Sequence, residues 1–366
     1  MEFKVAVIDQ TVNEALRRDV RAKDIELMAP LLQKYSLEAV DVSLPYWAKS
    51  DIGLNRTALL HFLRCKIGAT NKEIAQAREI GFSKVIITWR HRPGIPSLSR
   101  LVSALAEAGD FAGEVYLSIE NASDFSAAEM KCYWPLLVRH NVKRFIYRDQ
   151  DSVLDPFRVC RDLNILQQTA PCPIEFHGHN AYGLATANSL AALRAGIGYV
   201  GTAVGGIGLP GHAAMEEVLM AARHLWKQEQ IPAGYSLAAD CERILAPMGI
   251  SLPVDKAIVG RGAFAHESGI HVDGIAKNPL LYEVIQPEEV GLTRQLIVGK
   301  HSGTASLKAK FRQWDLVLNR LEAVEMLKKV KDIAVAQKRP LSDGQLWQLY
   351  MEYGDKEQGL AWQPPL

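Results

Sequence analysis

Short apolar runs alternate with amphipathic stretches through the first 228 or so residues. VAVID (5–9), AVDVSLP (39–45), ALLHFLR (58–64), KVIITW (84–89), EVYLSIE (114–120), KRFIYRD (143–149), PIEFHGH (173–179) and YVGTAVGG (199–206) read as strands. Between them, segments such as KDIELMAPLLQKY, NKEIAQAREIG, LSRLVSALAEAG, ATANSLAALRAG and MEEVLMAARHLW place apolar residues at three- and four-residue steps. That is the spacing of a helix with one buried face. Continuous Val/Ile/Leu-rich strands suit a parallel sheet covered on both sides. Eight strand-then-helix units in about 230 residues predict an α/β fold, a closed (β/α)8 barrel spanning 1–228. An open doubly wound sheet is the alternative, but no G-x-G-x-x-G follows the first strand. Beyond residue 228 the pattern changes. Residues 229–310 are rich in Gly and Pro and predict a linker and small subdomain; 311–366 predict a helical C-terminal region. Ser342 or Asp343 is placed to cap the last helix.

Composition narrows the function classes. A 366-residue chain that is 48% hydrophobic has material for a large core. A net charge of +1 argues against a nucleic-acid surface. Cys65, Cys132, Cys160, Cys172 and Cys241 are odd in number with no C-x-x-C spacing, so neither a disulfide framework nor a cysteine zinc site is expected. A reducing cytoplasm fits best. The opening MEFKVAVIDQ runs straight into a strand and lacks the pattern of a secretory peptide. No apolar run is long enough to span a bilayer.

Barrel active sites lie at the C-terminal ends of the strands. The seventh predicted strand ends in His177-Gly178-His179, and residues two apart on a strand share a face. The first runs into Asp9-Gln10-Thr11-Val12-Asn13-Glu14, and the eighth runs out through GGIGLPGHA to His212. Closure makes these three strands neighbours, so Glu14, His177, His179 and His212 are candidates to share a metal ion. The alternative for each histidine is a hydrogen-bonded structural role.

HGHNAYGLATANSLAALRAG resembles the H-x-H-N-D-x-G-x-A-x-A-N segment of the DRE-TIM metallolyases. GAFAHESGIHVDG (262–274) and VGKHSG (298–303) are similar to subdomain motifs of homocitrate and isopropylmalate synthases, and DSVLDPF and GHAAMEEV match in position. The nearest likeness is to homocitrate synthases of the nitrogen-fixation type; the chain is too short for the leucine-sensing domain of isopropylmalate synthases. The resemblance implies a metal-dependent Claisen condensation of acetyl-CoA with a 2-oxo acid such as 2-oxoglutarate, in a homodimer with no nucleic-acid or membrane partner. It implies that His177 and His179 are metal ligands, that Glu120 lies near the reacting centre, and that His271 with its partner Glu267 does acid–base work. It assigns Asn13, Arg64 and Ser118 as substrate contacts. The divalent ion is zinc, manganese, magnesium, iron or cobalt, its identity open; a set of three imidazoles and one carboxylate favours the transition metals.

The sequence departs from that family where the chemistry is. The family's D-T-T-L-R-D-G-E-Q is here Asp9-Gln10-Thr11-Val12-Asn13-Glu14-Ala15-Leu16-Arg17. Asn13 replaces the catalytic arginine and Glu14 the metal aspartate. Losing one preorganised donor at a developing oxyanion typically costs about 3–4 kcal/mol. Arg17 either swings into the vacated space as a catalytic group or is a surface residue. G-x-G-E-R-A-G-N-A becomes GIGLPGHA, the aspartate of H-x-H-N-D becomes Ala181, and D-T-V-G becomes Asp149-Gln150-Asp151-Ser152. Two other functions therefore stand beside the synthase: a catalytically altered or silent homologue that binds a metal, a 2-oxo acid or a protein, and a metal-dependent carbon–carbon lyase.

Overall fold

A computed structural model describes residues 5–53, 57–92, 98–228, 235–267 and 284–353. They fall into two compact units, Met1–Leu252 and Pro253–Leu366.

The first unit is a closed barrel of eight parallel strands: β1 (Ala6–Asp9), β2 (Leu37–Ser43), β3 (Leu63–Gly68), β4 (Lys84–Trp89), β5 (Glu114–Ile119), β6 (Phe145–Asp149), β7 (Ile174–Gly178) and β8 (Tyr199–Ala203). They pair in chain order, and β8 pairs with β1 through Val7↔Val200 and Ile8↔Gly201 to close the ring. Side chains alternate between lumen and helix layer. On β4, for example, Val85 and Ile87 are buried against the helices, while Ile86 joins Tyr116 and Ile146 in a separate cluster inside the barrel.

Seven strands lie where the hydrophobic pattern predicts them, within a few residues. The third does not. The apolar run 58–62 forms turns, and the strand starts at Leu63, where it pairs with Val40 of β2. Leu59 is buried within the turn, which accounts for the apolar character. The shift matters because Arg64 now opens the strand and Lys66, two residues on, shares its face. The first-strand motif also differs from a loop: helix Thr11–Arg17 begins two residues after β1, with the Asp9 carboxylate accepting from the Val12 N–H at 2.9 Å.

The unit continues past residue 228 to Leu252 because helix Leu237–Leu245 packs on helix Ala22–Leu32. Its Asp240 accepts from Tyr35 Oη at 2.6 Å and from Lys34 Nζ at 2.9 Å.

The second unit has its own core. Helices Thr304–Arg312, Arg320–Gln337 and Asp343–Tyr353 bury Leu307, Phe311, Met326, Val330, Leu346 and Tyr350 together. Asn319 caps the middle helix, accepting from the Leu321 and Glu322 N–H groups. Ser342 Oγ accepts from the Gln345 N–H at the start of the last, one of the two caps the sequence suggests. Ala265–His266 pairs in parallel with Gln295–Leu296. Among the described residues no helix is long and apolar enough to cross a membrane.

Candidate functional site

The barrel lumen is built from charge rather than from layers of aliphatic side chains. Arg64 is 0% exposed and holds two carboxylates at once. Its Nη1 and Nη2 donate to Glu175 of β7 at 2.8 and 2.7 Å, and its Nε donates to Asp41 of β2 at 2.8 Å. Arg144, immediately before β6, adds a second guanidinium, donating to Glu175 at 2.9 Å. Tyr116 lies 4.6 Å from the Arg64 guanidinium, and Tyr199 3.6 Å from that of Arg144. Two buried anions meet two buried cations, the arrangement that low-polarity surroundings require. Burial alone would raise the Glu175 pKa; Arg64 reverses this and holds it well below the usual carboxylate range. Asp41 is likewise held low, Arg64 outweighing burial.

This corrects one sequence expectation. Arg64 is not placed as a substrate contact: its donors are spent on Asp41 and Glu175, and freeing them would leave buried Asp41 without its paired guanidinium.

Above this network stand His177 and His179. His177 Nε2 donates to Glu175 at 2.6 Å, which leaves the lone pair on Nδ1, and Arg148 Nη2 faces that atom at 3.4 Å. His179 Nδ1 donates to the Asp149 carbonyl at 3.2 Å, so its lone pair sits on Nε2. His212 is bridged to His179 through the backbone, and the two rings are 5.0 Å apart. Burial keeps all three imidazoles neutral, taking His179 down to about 3. Gly201 of β8 makes room for His177: a Cβ there would lie 2.6 Å from the ring.

The other expected residues have partners of their own. Glu120 directly follows β5, accepts weakly from Ser118 Oγ at 3.4 Å, and lies 3.8 Å from Arg148 Nε. Asn13 is 8% exposed, and its Oδ1 accepts from the Ser43 N–H at 2.8 Å, tying it to the end of β2. Arg17 has not moved into the space at residue 13; its Nε and Nη2 donate to Glu14 Oε2 at 2.8 and 2.7 Å. Glu267 belongs to the second unit, where it accepts from the His301 N–H at 2.7 Å. His271 lies outside the described residues.

Two residues that the sequence reading passed over dominate the mouth. Lys66 Nζ donates to Gln10 Oε1 at 3.2 Å. Burial, then Arg148, lowers its pKa to about 8. Arg148 is buried, and its Nε has no hydrogen-bond partner. The available signal was alternation: Arg64 and Lys66, and Arg144 and Arg148, recur on one face of otherwise apolar strands.

Among the described residues, one group of three metal-ligating types converges, Asp41, Glu175 and His177, with ligand atoms within 4.8 Å of one another. As arranged, neither this triad nor the expected set fits a dication. The triad's two carboxylates are already neutralised by Arg64 and Arg144. The His177 lone pair faces Arg148, Glu14 is paired with Arg17, and Lys66 adds a further cation. An ion here would need to expel guanidinium groups from buried positions.

The family model described as HMGL-like matches residues 10–238, and that described as a homocitrate synthase post-HMGL domain matches 258–338. The chain is 41% identical over 256 residues to 2-isopropylmalate synthase 2 of Caldanaerobacter subterraneus subsp. tengcongensis, covering 68% of this chain and 66% of the relative. It is 40% identical over 217 residues to homocitrate synthase 1 of Nostoc sp., covering 57% and 56%. Thus the matched region spans between 56% and 66% of the length of these relatives. Among solved structures, an HMG-CoA lyase of Bacillus subtilis superimposes with TM-score 0.55 at 18% identity, covering 69% of this chain and 97% of that one. The carboxyl transferase domain of Rhizobium etli pyruvate carboxylase gives 0.52 at 14%, covering 72% and 51%. These likenesses show the barrel fold.

Proposed function

The chain belongs to the HMGL-like family, the DRE-TIM group, and from that membership we propose an acetyl-CoA-dependent condensing enzyme of the homocitrate or isopropylmalate synthase kind. The observation that carries this reading is the order of the two matched domains: an HMGL-like barrel at 10–238 followed by a homocitrate-synthase-type domain at 258–338. Relatives at about 40% identity bear both synthase names. The 2-oxo acid is therefore proposed as a class, with 2-oxoglutarate and 2-oxoisovalerate as the first members to test.

The reaction removes a proton from the acetyl methyl group, forms a carbon–carbon bond to the ketone carbon, protonates the resulting alkoxide, and hydrolyses the thioester to free the CoA thiol. Glu120 is the part-exposed carboxylate at the mouth and suits the first proton transfer. Nε2 of His179, neutral and carrying a lone pair, suits accepting a hydrogen bond from the new hydroxyl rather than supplying its proton. His271, as the family motif implies, is proposed as a second acid–base group. No step is routed through a metal ion, because the donor set does not accommodate one.

A second reading rests on Asn13. Its amide oxygen accepts from the Ser43 N–H and its amide carries no positive charge, so the cation the family has there is missing, and on this reading the chain binds a 2-oxo acid without condensing it. Incubation with carbon-13-labelled acetyl-CoA and each 2-oxo acid, followed by mass spectrometry, separates the two. A labelled 2-hydroxy dicarboxylate or tricarboxylate supports the synthase. Pyruvate released from 4-hydroxy-2-oxo acids instead would reassign the chain as a lyase.

A further inference from the structure

We propose that Arg148 and Lys66 form a metal-independent seat for the carboxylate of a 2-oxo acid at the barrel mouth, with Arg148 supplying the positive charge that residue 13 lacks. The proposal rests on the reading of a 2-oxo acid as ligand and locates it.

The topology brings the two cations together. Lys66 is on β3 and Arg148 on β6, three strands apart in a ring of eight, so their side chains approach from opposite walls of the lumen. Lys66 lies one lumen position above Arg64, and Arg148 two above Arg144, the arginines locked into the buried network. Those lower arginines have their charge matched. The upper pair is held more loosely: Glu120 forms an ion pair with Arg148 at 3.8 Å, beyond hydrogen-bond distance, and Lys66 donates to the neutral Gln10 amide at 3.2 Å.

Arg148 has the stronger claim. It is 7% exposed, yet its Nε makes no hydrogen bond. A buried donor of this kind requires a partner. The Nε and Nη2 atoms of a guanidinium form a planar fork that matches the two oxygens of a carboxylate. Nη2 is only loosely engaged, at 3.4 Å from His177 Nδ1. A carboxylate on that fork would place the adjacent ketone among Glu120, His177 and His179. Lys66 faces the like charge of Arg148 from within a buried lumen, and burial first, then Arg148, lowers its pKa; an anion between the two offsets both effects. Arg17 cannot take this part while it chelates Glu14.

The test is calorimetric titration of the full chain with pyruvate, 2-oxoglutarate and, as an uncharged counterpart, methyl pyruvate, all with EDTA present. The expected result is binding of the acids in chelator, at least ten-fold tighter than the ester. Arg148→Gln should weaken acid binding at least ten-fold, and Arg148→Lys should recover part of the loss, which a purely structural role would not give. Urea unfolding of each variant checks its fold; if Arg148→Gln fails to fold, Lys66→Gln is read against the same ten-fold criterion. Acid binding only after a divalent metal is added overturns the seat, as does an unchanged affinity in folded Arg148→Gln. Thiol release is not part of this readout. Acid binding through Arg148 with no condensation product would defeat the proposed function and leave the seat standing. Condensation that needs metal and ignores Arg148 would do the reverse.

Discussion

Arg64 and His179 show how single residues set the energetics of this barrel. Arg64 serves two buried carboxylates, so Arg64→Met would leave Asp41 without its paired guanidinium and Glu175 with Arg144 alone. Removing one partner from a buried ion pair costs about 3–5 kcal/mol, and urea unfolding should show a loss of that size or failure to accumulate folded protein. His179 makes a pH prediction. Its folded pKa of about 3 lies below that of an exposed histidine, so as pH falls below about 6.5 the unfolded chain takes up a proton that the folded state refuses. Stability must therefore fall on acidification over that window. Asp9 acts in the opposite sense: burial raises it to about 6, so its contribution is present at low pH and is lost as pH rises through that value. His179→Asn should flatten the acid-side fall in urea midpoints between pH 6.5 and 4; an unchanged slope would show that His179 does not carry it. The histidines and the acidic residues at the strand ends were legible in the sequence, because H-x-H on one strand face is a local pattern. Arg148 and Lys66 were not, since a charge within a strand acquires meaning only from partners far away in the chain. Arg64 and Glu175, for instance, are 111 residues apart.

At the scale of elements, the strands fix what each side chain can reach. β8 contributes Gly201 directly opposite His177, and the lumen has no volume to spare there. Gly201→Ala should push the imidazole off Glu175 and Arg148 and cost about 1–3 kcal/mol through overpacking, read as a lower urea midpoint together with weaker 2-oxo acid binding. A variant of wild-type stability would mean that the ring moves freely. Hydrophobic periodicity recovered most of the barrel because each buried strand is a continuous apolar run and each helix has one apolar face. It misplaced the third strand because the turn before Leu63 buries Leu59 and so reads as apolar as the strand itself. That misreading hid Lys66, which falls beyond the end of the expected strand and inside the real one. Helix Leu237–Leu245 was also missed in the Gly- and Pro-rich region, although its Asp240 ties it to Tyr35 and Lys34.

At the scale of the whole molecule, the chain pairs an HMGL-like barrel with a second unit of its own core, matched to the domain that follows the barrel in homocitrate synthases. The family motifs at its strand ends have been rewritten, and positive charge stands at the mouth where a divalent ion was expected. On the proposed reading, condensation depends on a 2-oxo acid held as an anion. The direct measurement is release of free CoA thiol from acetyl-CoA, followed with a thiol reagent across a panel of 2-oxo acids with chelator present. Thiol release that requires a 2-oxo acid and saturates with it is the result expected. Release no faster than from acetyl-CoA alone, for every acid in the panel, would contradict it.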